Sequence, residues 1–362
     1  MPDFGYLLEI TIIWRITLRR REYMHKMFVH RSRLTPFTLA LLLMPAQAIQ
    51  SFSTSSKAAT IPANVAEHAQ DNKTAPSHGE SEGRIEAESR TATLDGAKIH
   101  YANYNRDSGA RGKGKAKAGN DEEALVLIHG WTMNNGSWDA QVPTLVKRNR
   151  VIAIDLPGHG QSDKPQTTYS MDYFARAVDA VMRDAKVKRA VLVGHSMGTP
   201  IARQFYRKYP EKTLGIVIVD GSLRPFGDKA MLDKMIAGLR GPEFRQTGTQ
   251  MFTMMSGPNL AAEAKDRIMT SFANTPQHVV VSAMEGMAEP SIWGDDKINV
   301  PVLAVMAKNP FFPPNLEESF RMLAPQMEFH MWDGAGHFLH MERPQEFNQA
   351  VITFLEKNKL LQ

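Results

Sequence analysis

The stretch "VLVGHSMGTPIARQFY", Val191 to Tyr206, decides how the rest of the chain reads. A short, continuously apolar run enters a Gly-x-Ser-x-Gly turn, Gly194 to Gly198, and leaves it as an amphipathic helical pattern. That strand, turn and helix order holds a serine on a sharp, exposed bend. Residues without Cβ are needed at Gly194 and Gly198 because the backbone there passes close to neighbouring elements. The helix N-terminus behind Ser196 places N–H groups and a favourable dipole where negative charge would form. Ser196 is therefore the candidate nucleophile and the Met197 N–H a candidate oxyanion donor.

Working outward, apolar strands alternate with helical patterns: "ALVLIHG" (124–130), "RVIAIDLPGHG" (150–160), "MDYFARAVDAVMRDAK" (171–186), "LGIVIVDGS" (214–222), "VPVLAVMA" (300–307) and "MEFHMWDGAGH" (327–337). Strands that are apolar throughout, separated by amphipathic helices, predict an α/β fold with a parallel sheet covered by helices on both faces. Ahead of them, Asp95-Gly96 between alternating segments predicts a hairpin. From Ser222 to Asn299 the strand pattern stops, which predicts a helical insertion capping one end of the sheet. Eight methionines fall in it, at 231, 235, 251, 254, 255, 269, 284 and 287. Methionine suits both irregular core space and an adaptable substrate surface.

A second oxyanion donor is expected from the loop after an earlier strand, and "LIHGWTMN" supplies the Trp131 N–H. Two donors fixed on a tetrahedral oxyanion usually form the largest electrostatic contribution to acyl transfer. The Trp131 side chain either packs on the insertion or shapes the pocket. His195, Met231 and Trp293 are further candidates for contact with substrate. For a general base, His337 sits in the Gly-flanked loop after the last strand, where it can reach over the serine turn. The competing His340 falls within the start of the next helix.

Taken together, "HGW", "DLPGHGQSDKP", "GHSMG", "VPVLAVMA" and "GAGHFLHMERP" resemble the α/β-hydrolase fold family in order and spacing, from about Thr91 to the C-terminus. The resemblance implies a mostly parallel eight-stranded sheet and a serine, acid and histidine triad in that chain order. Members of that family commonly carry the acid after the strand matching "VPVLAVMA". Here those positions read "MAKN", with Asn309 in the acid's place. An uncharged partner does not stabilise an imidazolium, and such a replacement lowers turnover by about 10⁴-fold in a serine protease. Some members, certain dehalogenases among them, carry the acid one strand earlier, and Asp220 at the end of "GIVIVD" is the expected acid on that pattern. The competing arrangement has Asp220 capping a helix and Asn309, Asp295 or Asp296 orienting His337. Asp333 is expected to brace its own loop, and Asp155 the "PGHG" turn.

The expected activity is cofactor-independent and metal-independent hydrolysis of small-molecule carboxylic esters with a small or medium hydrophobic group. A carbon–carbon bond hydrolase, an acyltransferase with the same triad, and a ligand-binding protein of the same fold are the alternatives. The serine argues against the dehalogenase and epoxide-hydrolase chemistry that similar proteins run from an aspartate.

Composition sets outer bounds. The 362 residues are 43% hydrophobic and 22% charged, enough for a substantial core. The net charge of +5 comes mostly from Met1 to Ala48, where seven Lys and Arg face three acids, so nucleic-acid binding has little support. That segment has a basic stretch, the apolar "PFTLALLLMP" and "AQA" ending at Ala48, which predicts an export signal on residues 1–48 and a periplasmic or extracellular protein. The apolar run is too short to span a bilayer comfortably. On this reading translation starts at Met24 or Met27, and the residues upstream are an over-extended reading frame. A membrane anchor and an organelle presequence are the competing readings. Residues 49–88, rich in Ser, Thr and Ala, read as a flexible linker, followed by core at 89–221, cap at 222–299 and core again at 300–362. With no cysteine, disulfides and thiol nucleophiles are excluded.

Overall fold

Along each central strand, alternate side chains go to opposite sides. Leu125 and Leu127, Val191 and Val193, Val217 and Val219, and Leu303 and Val305 enter one core, whereas Val126 and Ile128, Leu192, Ile216 and Ile218, and Ala304 and Met306 enter another. This period of two, with every position apolar, is what a sheet buried on both faces requires.

The computed structural model describes residues 87–105, 122–225, 227–310 and 312–361. The expected export signal, nearly all of the expected linker and the Gly- and Lys-rich run at 106–121 lie outside them.

Eight strands form one sheet: β1 (Glu88–Leu94), β2 (Ala97–Tyr104), β3 (Glu123–Ile128), β4 (Val151–Ile154), β5 (Arg189–His195), β6 (Thr213–Val219), β7 (Val302–Ala307) and β8 (Met327–Trp332). Their spatial order is β1-β2-β4-β3-β5-β6-β7-β8. The β1–β2 and β2–β4 pairs are antiparallel and the remaining pairs parallel. The hairpin joining β1 and β2 turns at Asp95 (φ 50°) and Gly96 (φ 83°), both in the left-handed region that this tight turn demands.

The helices are α1 (Val142–Leu145), α2 (Met171–Asp184), α3 (Gly198–Lys208), α4 (Lys229–Arg240), α5 (Phe244–Met255), α6 (Ala262–Asn274), α7 (Gln277–Ala288), α8 (Leu316–Arg321), α9 (Leu339–Glu342) and α10 (Pro344–Lys357). Helices α2 and α3 supply Phe174, Val178, Ile201 and Phe205 to one core, and α1 and α10 supply Leu145, Phe347, Val351 and Phe354 to the other. The sheet is thus covered on both faces. Helix α2 starts cleanly because the Ser170 hydroxyl accepts the Tyr173 N–H.

Helices α4 to α7 are the insertion between β6 and β7. Among its methionines, Met284 and Met287 are buried, while Met235, Met251, Met255 and Met269 pack against the core; Met254 is exposed. Most of them fill irregular interior space. Among the described residues, no helix is long and apolar enough to cross a membrane.

Candidate active site

Parallel strands all end at the same edge, so β3, β5, β6 and β7 deliver their following residues to one crevice. Ser196 follows β5 directly and has φ 52°, an uncommon conformation for serine. The surroundings hold it there. Its N–H donates to the Val219 carbonyl at 3.0 Å, and its carbonyl accepts the Thr199 N–H at 2.9 Å. The two glycines of the motif are required by close approach: a Cβ on Gly194 would lie 2.4 Å from the Gly198 oxygen, and one on Gly198 would lie 2.3 Å from the Ile128 oxygen. Ser196 itself is half-buried.

Asp220 follows β6 and is 4% exposed. Its φ of 42° is left-handed, a region aspartate tolerates better than most residues. The backbone N–H donates to the Val305 carbonyl at 2.9 Å. Its carboxylate meets two donors: Oδ1 accepts the Ala307 N–H at 2.8 Å, and Oδ2 lies 2.7 Å from His337 Nδ1. With Nδ1 engaged by the carboxylate, Nε2 is the ring nitrogen left to accept a proton. Strand β7, where the family pattern would carry the acid itself, thus contributes a backbone donor that fixes Asp220.

The competing carboxylates are engaged elsewhere. Asp295 pairs with Arg224, Asp296 with Arg207 and Arg203, and the exposed Asp333 with Lys308. Asp155, buried, accepts the Asn135 N–H at 2.7 Å and the Gln161 N–H at 2.9 Å and contacts His100 Nδ1 at 2.8 Å, bracing the turn at 157–160. Asn309 lies beyond the end of β7, where its carbonyl accepts the Phe312 N–H at 3.1 Å.

Gly130 and Trp131 follow β3, and Gly130 presses against the serine turn: a Cβ on it would come within 3.2 Å of Ser196 Cβ. Met197, fully buried, is the residue from which α3 starts. The Trp131 ring goes into the insertion. Its Nε1–H donates to the Val280 carbonyl of α7 at 3.0 Å, and it stacks on Phe252 of α5 with centroids 5.6 Å apart and planes 22° apart. Of the two roles left open for this side chain, packing on the insertion is the one the contacts describe.

His195 is 1% exposed and sits beneath the site, with its ring 4.8 Å from that of His337 and 4.6 Å from that of His340. Its Nε2–H donates to the His337 carbonyl at 2.9 Å. Burial, with His340 and His337 beside it, holds its pKa well below the usual imidazole value, so it is neutral. His340 is buried in α9, and desolvation takes it down to about 3. Met231 and Trp293 take their hydrogen bonds within the insertion: the Met231 N–H goes to Asp228 and the Trp293 indole to the Met287 carbonyl. Two open clefts, of about 640 and 390 Å³, are lined by none of Ser196, Asp220 and His337. Among the described residues, no group of three or more His, Cys, Asp or Glu could hold a metal ion.

Two things escaped sequence reasoning. One is the Ala307 N–H on Asp220, a backbone contact with no signature in residue type. The other is Glu342, whose carboxylate accepts the Gly336 N–H at 3.0 Å next to His337; the signal was its presence in "GAGHFLHMERP".

Comparison with known proteins agrees with this architecture. Residues 123–344 match the family model described as alpha/beta hydrolase fold. A 2-hydroxy-6-oxononadienedioate/2-hydroxy-6-oxononatrienedioate hydrolase from Pseudomonas sp is 27% identical over 259 residues, 66% of this chain and 90% of the relative. Among solved structures, an esterase from Exiguobacterium antarcticum aligns with a TM-score of 0.64 at 18% identity, covering 74% of this chain and 98% of that one. An N-acyl homoserine lactone degrading enzyme aligns with a TM-score of 0.61 at 26% identity, covering 73% and 100%.

Proposed function

The chain belongs to the alpha/beta hydrolase fold family, and on that premise we propose that it is a serine hydrolase of carboxylic esters with small or medium hydrophobic groups. The observation that carries the reading is the 2.7 Å contact between His337 Nδ1 and Asp220 Oδ2, at the sheet edge where Ser196 stands on a strained turn.

In this mechanism His337 Nε2 takes the Ser196 proton as Oγ attacks the ester carbonyl. The Trp131 and Met197 N–H groups receive the developing oxyanion. The imidazolium, held by Asp220, returns the proton to the departing alcohol and leaves an acyl-enzyme. Water then attacks, with His337 again as base, and the carboxylic acid departs. The similarity to an N-acyl homoserine lactone degrading enzyme, at 26% identity, supports an ester-type substrate. A carbon–carbon bond hydrolase is the second reading, favoured by the Pseudomonas relative. We also place residues 1–48 as an export signal and 222–299 as the cap over the site, on the sequence patterns alone.

A fluorophosphonate should label Ser196, and a panel of p-nitrophenyl esters of increasing acyl length should show turnover that falls with long chains. Ser196→Ala should remove essentially all turnover and leave the melting temperature unchanged. Undiminished turnover in that variant would end this reading, and activity confined to vinylogous diketones would favour the second.

A further inference from the structure

His337 is held by both of its backbone polar groups. Its N–H donates to the Met255 carbonyl, at the C-terminus of α5 in the insertion, at 3.0 Å. Its carbonyl accepts from His195, the residue before Ser196. The base's backbone therefore bridges the insertion and the serine turn.

The loop ahead of it is tied to the insertion again. Asn259 Nδ2 donates to the Gly334 carbonyl at 3.1 Å. Gly257 and Gly336 touch backbone to backbone: a Cβ on Gly336 would lie 2.2 Å from the Gly257 nitrogen, and one on Gly257 would lie 2.5 Å from the Gly336 nitrogen. Glu342 closes over this crossing. Its Oε1 accepts the Gly336 N–H at 3.0 Å, and both of its oxygens would lie 2.3 Å from a Cβ on Gly257. Burial pushes the Glu342 carboxyl up from its usual range, and the Gly336 N–H opposes that shift. A partly buried carboxylate over a glycine crossing costs desolvation, which a merely solvated surface residue would avoid.

We propose that Glu342 is a positioning residue for His337: it clasps the insertion segment Met255–Asn259 to the loop Gly334–His337, so that seating the insertion and placing the base are one event. The proposal rests on the reading of His337 as general base. Glu342 acts through the Gly336 and His337 backbone and touches neither Ser196 nor substrate in this scheme. A base displaced by a fraction of an ångström loses near-attack geometry while substrate binding persists, so the loss belongs in kcat rather than KM.

The test is a mutant cycle in the full-length enzyme, read as kcat and KM on p-nitrophenyl butyrate. Glu342→Ala should lower kcat by about 10- to 100-fold with KM within about threefold, and Glu342→Gln, which keeps an acceptor for the Gly336 N–H, should recover most of it. In an Asp220→Asn background, where His337 has already lost its function, Glu342→Ala should cost less than about threefold. Asn259→Ala, a milder cut through an exposed hydrogen bond, should lower kcat about threefold and be silent in the same background, which covers the case in which Glu342→Ala does not fold. Equal losses with and without Asp220, or an unchanged kcat in both variants, would overturn the positioning role. If the wild type fails to react with fluorophosphonate, the hydrolase reading falls and this inference with it. A reactive wild type with an unaffected Glu342→Ala variant overturns this inference alone.

Discussion

Replacing Asp220 with Asn exchanges one carboxylate oxygen for an NH₂ at a position with two fixed neighbours. The Ala307 N–H, 2.8 Å from Oδ1, can only donate. The amide oxygen is therefore drawn to it, and the NH₂ faces His337 Nδ1, 2.7 Å from the present Oδ2. An NH₂ there donates, which forces Nδ1 to be the unprotonated nitrogen and puts the proton on Nε2. His337 then cannot accept the Ser196 proton, and the imidazolium loses its charged partner as well. The same tautomer reversal in a serine protease costs about 10⁴-fold in kcat, which at about 1.36 kcal/mol per decade is about 5.4 kcal/mol of transition-state stabilisation. Folding should survive, because asparagine tolerates the left-handed backbone at φ 42° and the Ala307 hydrogen bond is kept. The assay is initial-rate hydrolysis of p-nitrophenyl butyrate at pH 8, with thermal melting followed by circular dichroism. A variant within about tenfold of wild type at an unchanged melting temperature would refute the reasoning. Asn309→Ala in parallel should change kcat by less than about threefold; the reverse ranking would return the orienting role to Asn309.

Further outcomes are expected. Burial lowers the pKa of His129 to about 4 and of His159 and His340 to about 3, against 6.5 for the free group. Each binds its proton more readily when unfolded, so their stability contribution is full above about pH 6.5 and is lost as pH falls towards the folded values, at about 1.4 kcal/mol per pH unit for each histidine. Urea midpoints at pH 7, 6 and 5 should fall steeply, and a flat series would contradict burial of neutral imidazoles. Trp131→Phe should cost about 1 kcal/mol through the lost Val280 hydrogen bond, and Trp131→Ala about 3–5 kcal/mol through the cavity against Phe252 and Phe272; equal losses in denaturant titrations would contradict that division. Protein recovered from its native cell should begin near Ile49 by intact mass, and retention of Met24 would remove the export reading.

The sheet was legible because burial on both faces leaves an unbroken apolar run, as in "VLVG" and "GIVIV", whatever the partner strand. The serine turn was legible because steric exclusion at Gly194 and Gly198 restricts residue type locally, and the hairpin because Asp95-Gly96 suits a turn with two positive φ values. In each case the physical constraint acts within a few residues and so leaves a mark in the string.

The site's wiring was decided by tertiary structure. Asp220 and His337 are 117 positions apart, and residue types alone left Asn309, Asp295 and Asp296 in contention until the arginine partners of the last two were seen. The Trp131 ring could have faced the pocket or the insertion. His195 adjoins the serine in sequence, yet its ring is turned under the His337 loop, where neutrality and a single carbonyl acceptor set its tautomer. Glu342 is an unremarkable helical glutamate until the Gly257 and Gly336 backbones cross beneath it. Such contacts depend on where distant segments arrive in space and on backbone N–H and C=O groups that every residue carries, so composition and periodicity hold no record of them.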